Sequence, residues 1–232
     1  MQNTDTIIDL IIERPRRLEF GGRSFIIRPL TLGKVLFLSK FNTMLSPYLR
    51  RKAKNPQETL LRMCREKPEI VTEVVAIYIT GDAKKVIDDD YMNELTTFLS
   101  KEMTDVQKAT LLQMYYEEKT AAYYMDELHI TEEKEKQRKA IRAKDKGSSL
   151  NVGGVSIFGN LIDVACERYG WTYQYVLWGI SYNVLQVMLA DVVQNIYLTD
   201  KERARTHINE DGRILRGESQ SDIDYFKALC NG

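Results

Sequence analysis

"RLEFGGRSFIIRPLTLGKVLFLSKFNTML", residues 17–45, sets two structural periods side by side. Aromatic and branched residues flank Gly21-Gly22, and a Gly-Gly pair supplies the positive φ that a two-residue hairpin turn demands. A β-hairpin is predicted over 17–30. Directly after Pro29 the period changes: Thr31 can cap a first turn, and Leu32, Val35, Leu36, Leu38 and Phe41 crowd one broad face at helical spacing. A helix should begin there and end near Pro47.

The chain that follows reads as helical almost throughout. In 55–80, "NPQETLLRMCREKPEIVTEVVAIYIT", Pro56 behind Asn55 suits a helix start and Pro68 ends or restarts one, so two short helices are expected. Asp88-Asp89-Asp90 lacks the alternating ligands, central Gly and terminal Glu of a calcium loop; it reads as the acidic start of a helix, where the positive dipole end favours carboxylates. Thr104 is a second N-cap, and Leu111, Tyr115, Ala122 and Met125 form one stripe, predicting a long helix over 105–128.

Residues 132–146 carry almost no apolar side chain and turn basic through Arg138, Lys139, Arg142, Lys144 and Lys146. This segment is expected outside any core, as a solvated helix extension. "GSSLNVGG" then marks a flexible connection. The expected organisation is a hairpin-plus-helical domain over 1–145, a linker over 146–156 and a small helical unit over 157–232. In the last of these, a helix closes at Gly170, a short aromatic helix stops at Gly179, and Ser181 caps an amphipathic helix carrying Leu185, Met188, Leu189, Val192 and Ile196. The tail is polar until Ile223, Phe226 and Leu229. The fold class is therefore mainly α (α+β): an N-terminal β-hairpin, a helical bundle, then a smaller C-terminal helical unit.

Composition narrows the function. Lys plus Arg and Asp plus Glu both total 33, which removes the global attraction to phosphate expected of a nucleic-acid binder. At 44% hydrophobic and 28% charged, the chain has ordinary globular usage. Three cysteines, Cys64, Cys166 and Cys230, fit neither a paired disulfide framework nor close zinc-ligand spacing, which points to a reducing, cytoplasmic setting. "TIIDLII" near the start is interrupted by Asp9 and lacks the features of a signal peptide, so a strand or short helix is expected. No window approaches the roughly twenty apolar residues needed to cross a bilayer.

Reactive groups in a productive pattern are not evident. His129 and His207 stand far apart in polar contexts, and both are read as solvent-facing. Cys64 and Cys166 lie in apolar helical patterns without a neighbouring histidine, favouring packing over nucleophilic catalysis. Neither "EFGGRS" nor "NVGGVSIFGN" has the Gly-Lys-Ser/Thr ending of a phosphate loop. No enzyme, metal or cofactor is expected. The stretch 168–191, "RYGWTYQYVLWGISYNVLQVMLAD", holds both tryptophans, and such aromatic richness without chemistry points either to a small core or to contact with another protein.

In order and character, the hairpin ending in "FIIRPLTLGKVLFLSKF", the helices, the charged stretch and the late "ERYGWTYQYVLWGISYNVLQVMLA" resemble the tail assembly chaperones of long-tailed phages and prophages. The Pro-Leu-Thr helix start, here within Arg28 to Thr31, and the aromatic-Gly-Trp stretch before a second helix carry the likeness. The resemblance covers about two thirds of the chain. It implies a non-catalytic protein that coats the tape-measure protein and recruits tail-tube subunits in the host cytoplasm, in several copies per partner or as a homo-oligomer. It also implies partner contact at Trp171, Tyr175 and Trp178, and on the first long helix at Leu32, Leu36 and Phe41. The polar tail after 200 is longer than that pattern. A structural virion component is the alternative, and a nucleic-acid-associated protein using 137–146 is the third reading.

Overall fold

A computed structural model describes residues 8, 10–49, 55–145 and 156–208. Strands β1 (Arg16–Phe20) and β2 (Arg23–Ile27) pair antiparallel, with Phe20 opposite Arg23. Gly21 and Gly22 make the turn at φ 53° and 73°, a conformation with positive φ at both central residues that glycine adopts without steric cost. Leu10 to Ile12, just before the hairpin, are helical.

Helix α1 (Leu32–Leu49) carries Pro47 within its last turn, so the helix outlasts the proline by two residues. Its first turn is capped by Thr31, whose Oγ1 accepts from Lys34 N at 3.5 Å. The expected pair of short helices follows as α2 (Pro56–Glu66) and α3 (Pro68–Ile79), each with proline in its first turn. Helix α3 is the axis of this unit, packing against α1, α2 and β2. From Val71 to Thr80 every residue is buried except Glu73. A 3-10 turn over Ala83–Ile87 leads to α4 (Asp89–Glu102), where the Asp88 carboxylate accepts from Tyr91 N at 3.0 Å. The aspartate run thus caps a helix, as its sequence position predicts. Helix α5 (Asp105–Tyr116) opens on a full capping box between Thr104 and Gln107.

The single helix expected over 105–128 is two: α5 stops at Tyr116 and α6 spans Ala121–Glu127. The interruption has a long-range cause. Glu118 turns inward, where its Oε1 accepts from Tyr78 Oη at 2.9 Å and from Arg16 Nη2 at 2.6 Å.

The chain divides into two compact units, drawn differently from the expected boundary near 146–156. One joins 1–124 with 154–189, the other 125–153 with 190–232. In the first, α8 (Ile157–Tyr169), α9 (Tyr173–Trp178) and α10 (Tyr182–Ala190) follow one another, with Gly170 closing α8 at φ 65°. These short helices cannot conceal their apolar faces alone. They build a second core with the start of α1: Leu32, Ala165, Val176, Leu177, Ile180 and Leu185.

In the second unit, α7 (Ile130–Ala143) buries Ile130, Ala140 and Ala143. The expectation that this segment stays outside any core is corrected: two alanines three residues apart make a narrow apolar stripe that a search for large side chains passes over. Lys136 and Lys139 are ion-paired to Glu133 and Glu135. α7 packs against α11 (Asp200–Ala204), where Glu202 Oε1 accepts from Asp145 N at 2.8 Å. The amphipathic helix expected to reach Ile196 ends at Ala190. The Val192 carbonyl instead accepts from Gln137 Nε2 at 2.8 Å, and Val193 and Tyr197 project into solvent. Both histidines are exposed, each with a left-handed backbone. Cys230 and the apolar run at Ile223, Phe226 and Leu229 lie outside the described residues.

Candidate functional site

Three elements that bury their apolar faces in the first unit leave one groove uncovered. Its volume is about 440 Å³, and α1 contributes Leu36, Phe37, Lys40 and Phe41. α3 supplies Ile77 and Glu73, the 3-10 turn Val86, and α4 Met92, Asp89 and Asn93. The floor is fixed, because Ile77, Val86 and Met92 are buried parts of the molecule. The α1 wall is open: Phe37 is 40% exposed although it is a large apolar residue. Glu73, the single residue of 71–80 that escapes burial, faces this groove. Partial burial raises its carboxyl above the usual range, with nearby Lys40 pulling the other way. The groove thus pairs a greasy, methionine-containing floor with one cation and two carboxylates at its edges, the composition with which proteins receive an amphipathic helix.

The residues singled out from sequence fall in three places. Leu36 and Phe41 line the groove together. Leu32 does not reach it, being wholly buried in the second core. The aromatic segment packs along the flank of that same core, with Tyr169, Trp171 and Trp178 against it: Trp171 stacks on Tyr169 at 4.6 Å between centroids and meets Tyr175 edge-on at 5.2 Å. Tyr175 is exposed and Trp171 half-buried. Trp178 turns the other way, lying over Gly33 and reaching Phe37 at 6.4 Å, so it buttresses the open wall of the groove. Phe37, Glu73, Ile77 and Met92 were not anticipated. Phe37 could have been found as the residue widening the α1 stripe beside Leu36; the other three depend on how α3 and α4 assemble.

The same unit also holds a buried polar cluster. Lys34 is 1% exposed, and its Nζ donates to Tyr78 O at 3.1 Å, satisfying a carbonyl in the last turn of α3 that the helix itself leaves unpaired. Burial lowers its amine from 10.5 to about 8, against the pull of Glu118, which favours the charged form. Glu118 is held above the usual carboxylate range by burial, opposed by its bonds from Tyr78 and Arg16. Cys64 is also buried, which pushes its thiol up to about 11 and keeps it un-ionised at neutral pH.

The lysine makes a signed prediction. Its folded pKa lies below its free value, so the unfolded chain binds this proton more tightly between pH 8 and 10.5. Its contribution is complete above pH 10.5 and is lost as pH falls through about 8. The stability of the wild type relative to Lys34→Met should therefore rise by up to about 3 kcal/mol across this window. Urea titrations of both chains measure it, and the raised Cys64 and Tyr78 groups cancel because both chains carry them. A flat difference would place the ammonium in solvent.

The chain matches no protein-family model, no curated protein and no solved structure. Among the described residues no helix is long and apolar enough to cross a membrane, and no cluster of metal-ligating side chains forms.

Proposed function

We propose that this protein acts by binding: its groove receives the apolar face of an amphipathic helix, and its role is that of a tail assembly chaperone holding the tape-measure protein before tail assembly. The observation that carries the reading is the uncovered groove between α1, α3 and α4, with Phe37 and Phe41 on its wall and Glu73 and Lys40 at its edges. The sequence likeness of the hairpin, the Pro-Leu-Thr helix start and the late aromatic segment supports the particular family. A tape measure is a long, largely helical, apolar chain, and its helices offer residues at the spacing a groove of this kind accepts. Lys40 across from Glu73 and Asp89 suits a partner helix with charges of both signs flanking its apolar stripe. Affinity at one groove can be modest, since many copies along one long chain supply the rest.

Co-expression with the tape-measure protein of the same phage or prophage tests this. The wild type should co-purify with it, and Phe37→Glu, which alters an exposed side chain, should reduce recovery at least tenfold with far-UV helicity unchanged. Mass spectrometry of finished particles should find the protein missing. Presence in fixed copy number would instead make it a structural component.

A further inference from the structure

A second depression in the same unit sits where the chain leaving β2 meets the turn between α9 and α10. Tyr182 N donates to Leu30 O at 2.7 Å, Thr31 and Ser181 pair as an isolated β-bridge, and Ser181 N donates to Glu13 Oε1 at 3.3 Å. The cleft these contacts frame has a volume of about 450 Å³, within the range that takes small molecules. Ile26 and Trp178 give it apolar surface, and Glu13, Arg28, Lys34 and Asp82 bring four charged side chains to it.

Those four charges do not satisfy one another. Among the described residues, no two of them come within ion-pairing distance. Arg28 has no hydrogen bond or ion pair to any described residue, and Lys34 uses one of its three N–H donors on Tyr78 O. Among the described residues, Glu13 and Asp82 each accept from one backbone N–H, from Ser181 and from Lys84, which leaves lone pairs on both carboxylates. The lining is therefore two cations and two anions with hydrogen-bonding capacity of both kinds unspent. A simple anion entering here would meet Glu13 and Asp82, and a simple cation would meet Arg28 and Lys34. A short molecule carrying both signs finds a partner for each end.

We propose that this cleft binds a small zwitterion of the α-amino-acid type. Its carboxylate lies on Arg28, favoured also by the charge of the nearly buried Lys34, its ammonium on Glu13 and Asp82, and an apolar side chain runs along Trp178 and Ile26. The guanidinium fork suits a carboxylate, since it can donate two parallel hydrogen bonds. The site is separate from the groove, and its occupancy does not depend on the chaperone reading.

The test is a ¹H–¹⁵N NMR titration of the full chain with glycine, leucine, N-acetylleucine and leucinamide at millimolar concentration. Glycine or leucine should give saturable shifts at Lys34, Gly81, Gly179, Ser181 and the Trp178 indole N–H. The two blocked analogues, each lacking one charge, should bind at least tenfold more weakly than leucine. Arg28→Gln alters an exposed side chain and should weaken the amino acid at least tenfold with the remaining spectrum unchanged. The proposal is overturned if neither glycine nor leucine shifts these resonances, if the blocked analogues bind as well as leucine, or if Arg28→Gln has no effect.

Discussion

Truncating Leu32 to alanine lowers the free energy of unfolding by about 2–5 kcal/mol, the range for removing a fully buried leucine. Leu32 is 0% exposed and is the residue through which α1 enters the second core, against Ala165, Val176, Leu177, Ile180 and Leu185. The change removes three carbons, and the loss combines forfeited burial with a residual cavity that short helices fixed by Gly170 and the Tyr182–Leu30 hydrogen bond only partly close. The effect should appear as a lower midpoint in urea with an unchanged slope. Leu36→Ala, one turn along and half-buried beside the groove, should cost clearly less. If Leu32→Ala kept full stability and lost only partner binding, Leu32 would be a surface contact and the second core would be misassigned.

Gly33→Ala is expected to destabilise by about 1–3 kcal/mol, the cost of overpacking a well-filled site. On helix propensity alone the change would favour folding by about 1 kcal/mol, because glycine is a poor interior helix residue. Packing reverses the sign: a Cβ at this position would stand 2.2 Å from Trp178 Cζ3 and 2.5 Å from Cε3. The indole must move off α1, and with it goes its contact with Phe37, 6.4 Å away. Denaturant titration measures the loss, and Trp178 emission should shift to the red as the ring meets water. A stabilised variant with unshifted emission would mean that the tryptophan does not lie on the glycine.

These two positions also show where sequence reasoning stops. Gly21-Gly22, Pro56, Pro68, Thr104, Gly170 and Ser181 mark the elements by local chemistry, in turns, caps and breaks that act within a few residues, and each stands where that chemistry puts it. Gly33 carries no such mark. Its small size matters only because Trp178, far along the chain, packs over it. Leu32 and Leu36 share one stripe in the periodic pattern, and which of them is core and which lines a groove depends on where α8 to α10 dock. The break at 117–120 is likewise non-local, since Glu118 leaves the helix to meet Tyr78 and Arg16. Two of the groove's lining residues, Leu36 and Phe41, were legible as helix periodicity; Glu73, Ile77 and Met92 come together only through the packing of α3 with α1 and α4.

Site-specific photo-crosslinking tests the binding role most directly. A benzophenone side chain placed at Phe37, on the open wall of the groove, and another at Tyr197, also aromatic and more exposed, in the other unit, are compared after co-expression with the tape-measure protein. Position 37 should capture that protein through a helical segment with apolar residues three and four apart, and position 197 should capture little. Equal capture at both positions, or capture at 197 alone, would contradict a groove that receives a helix.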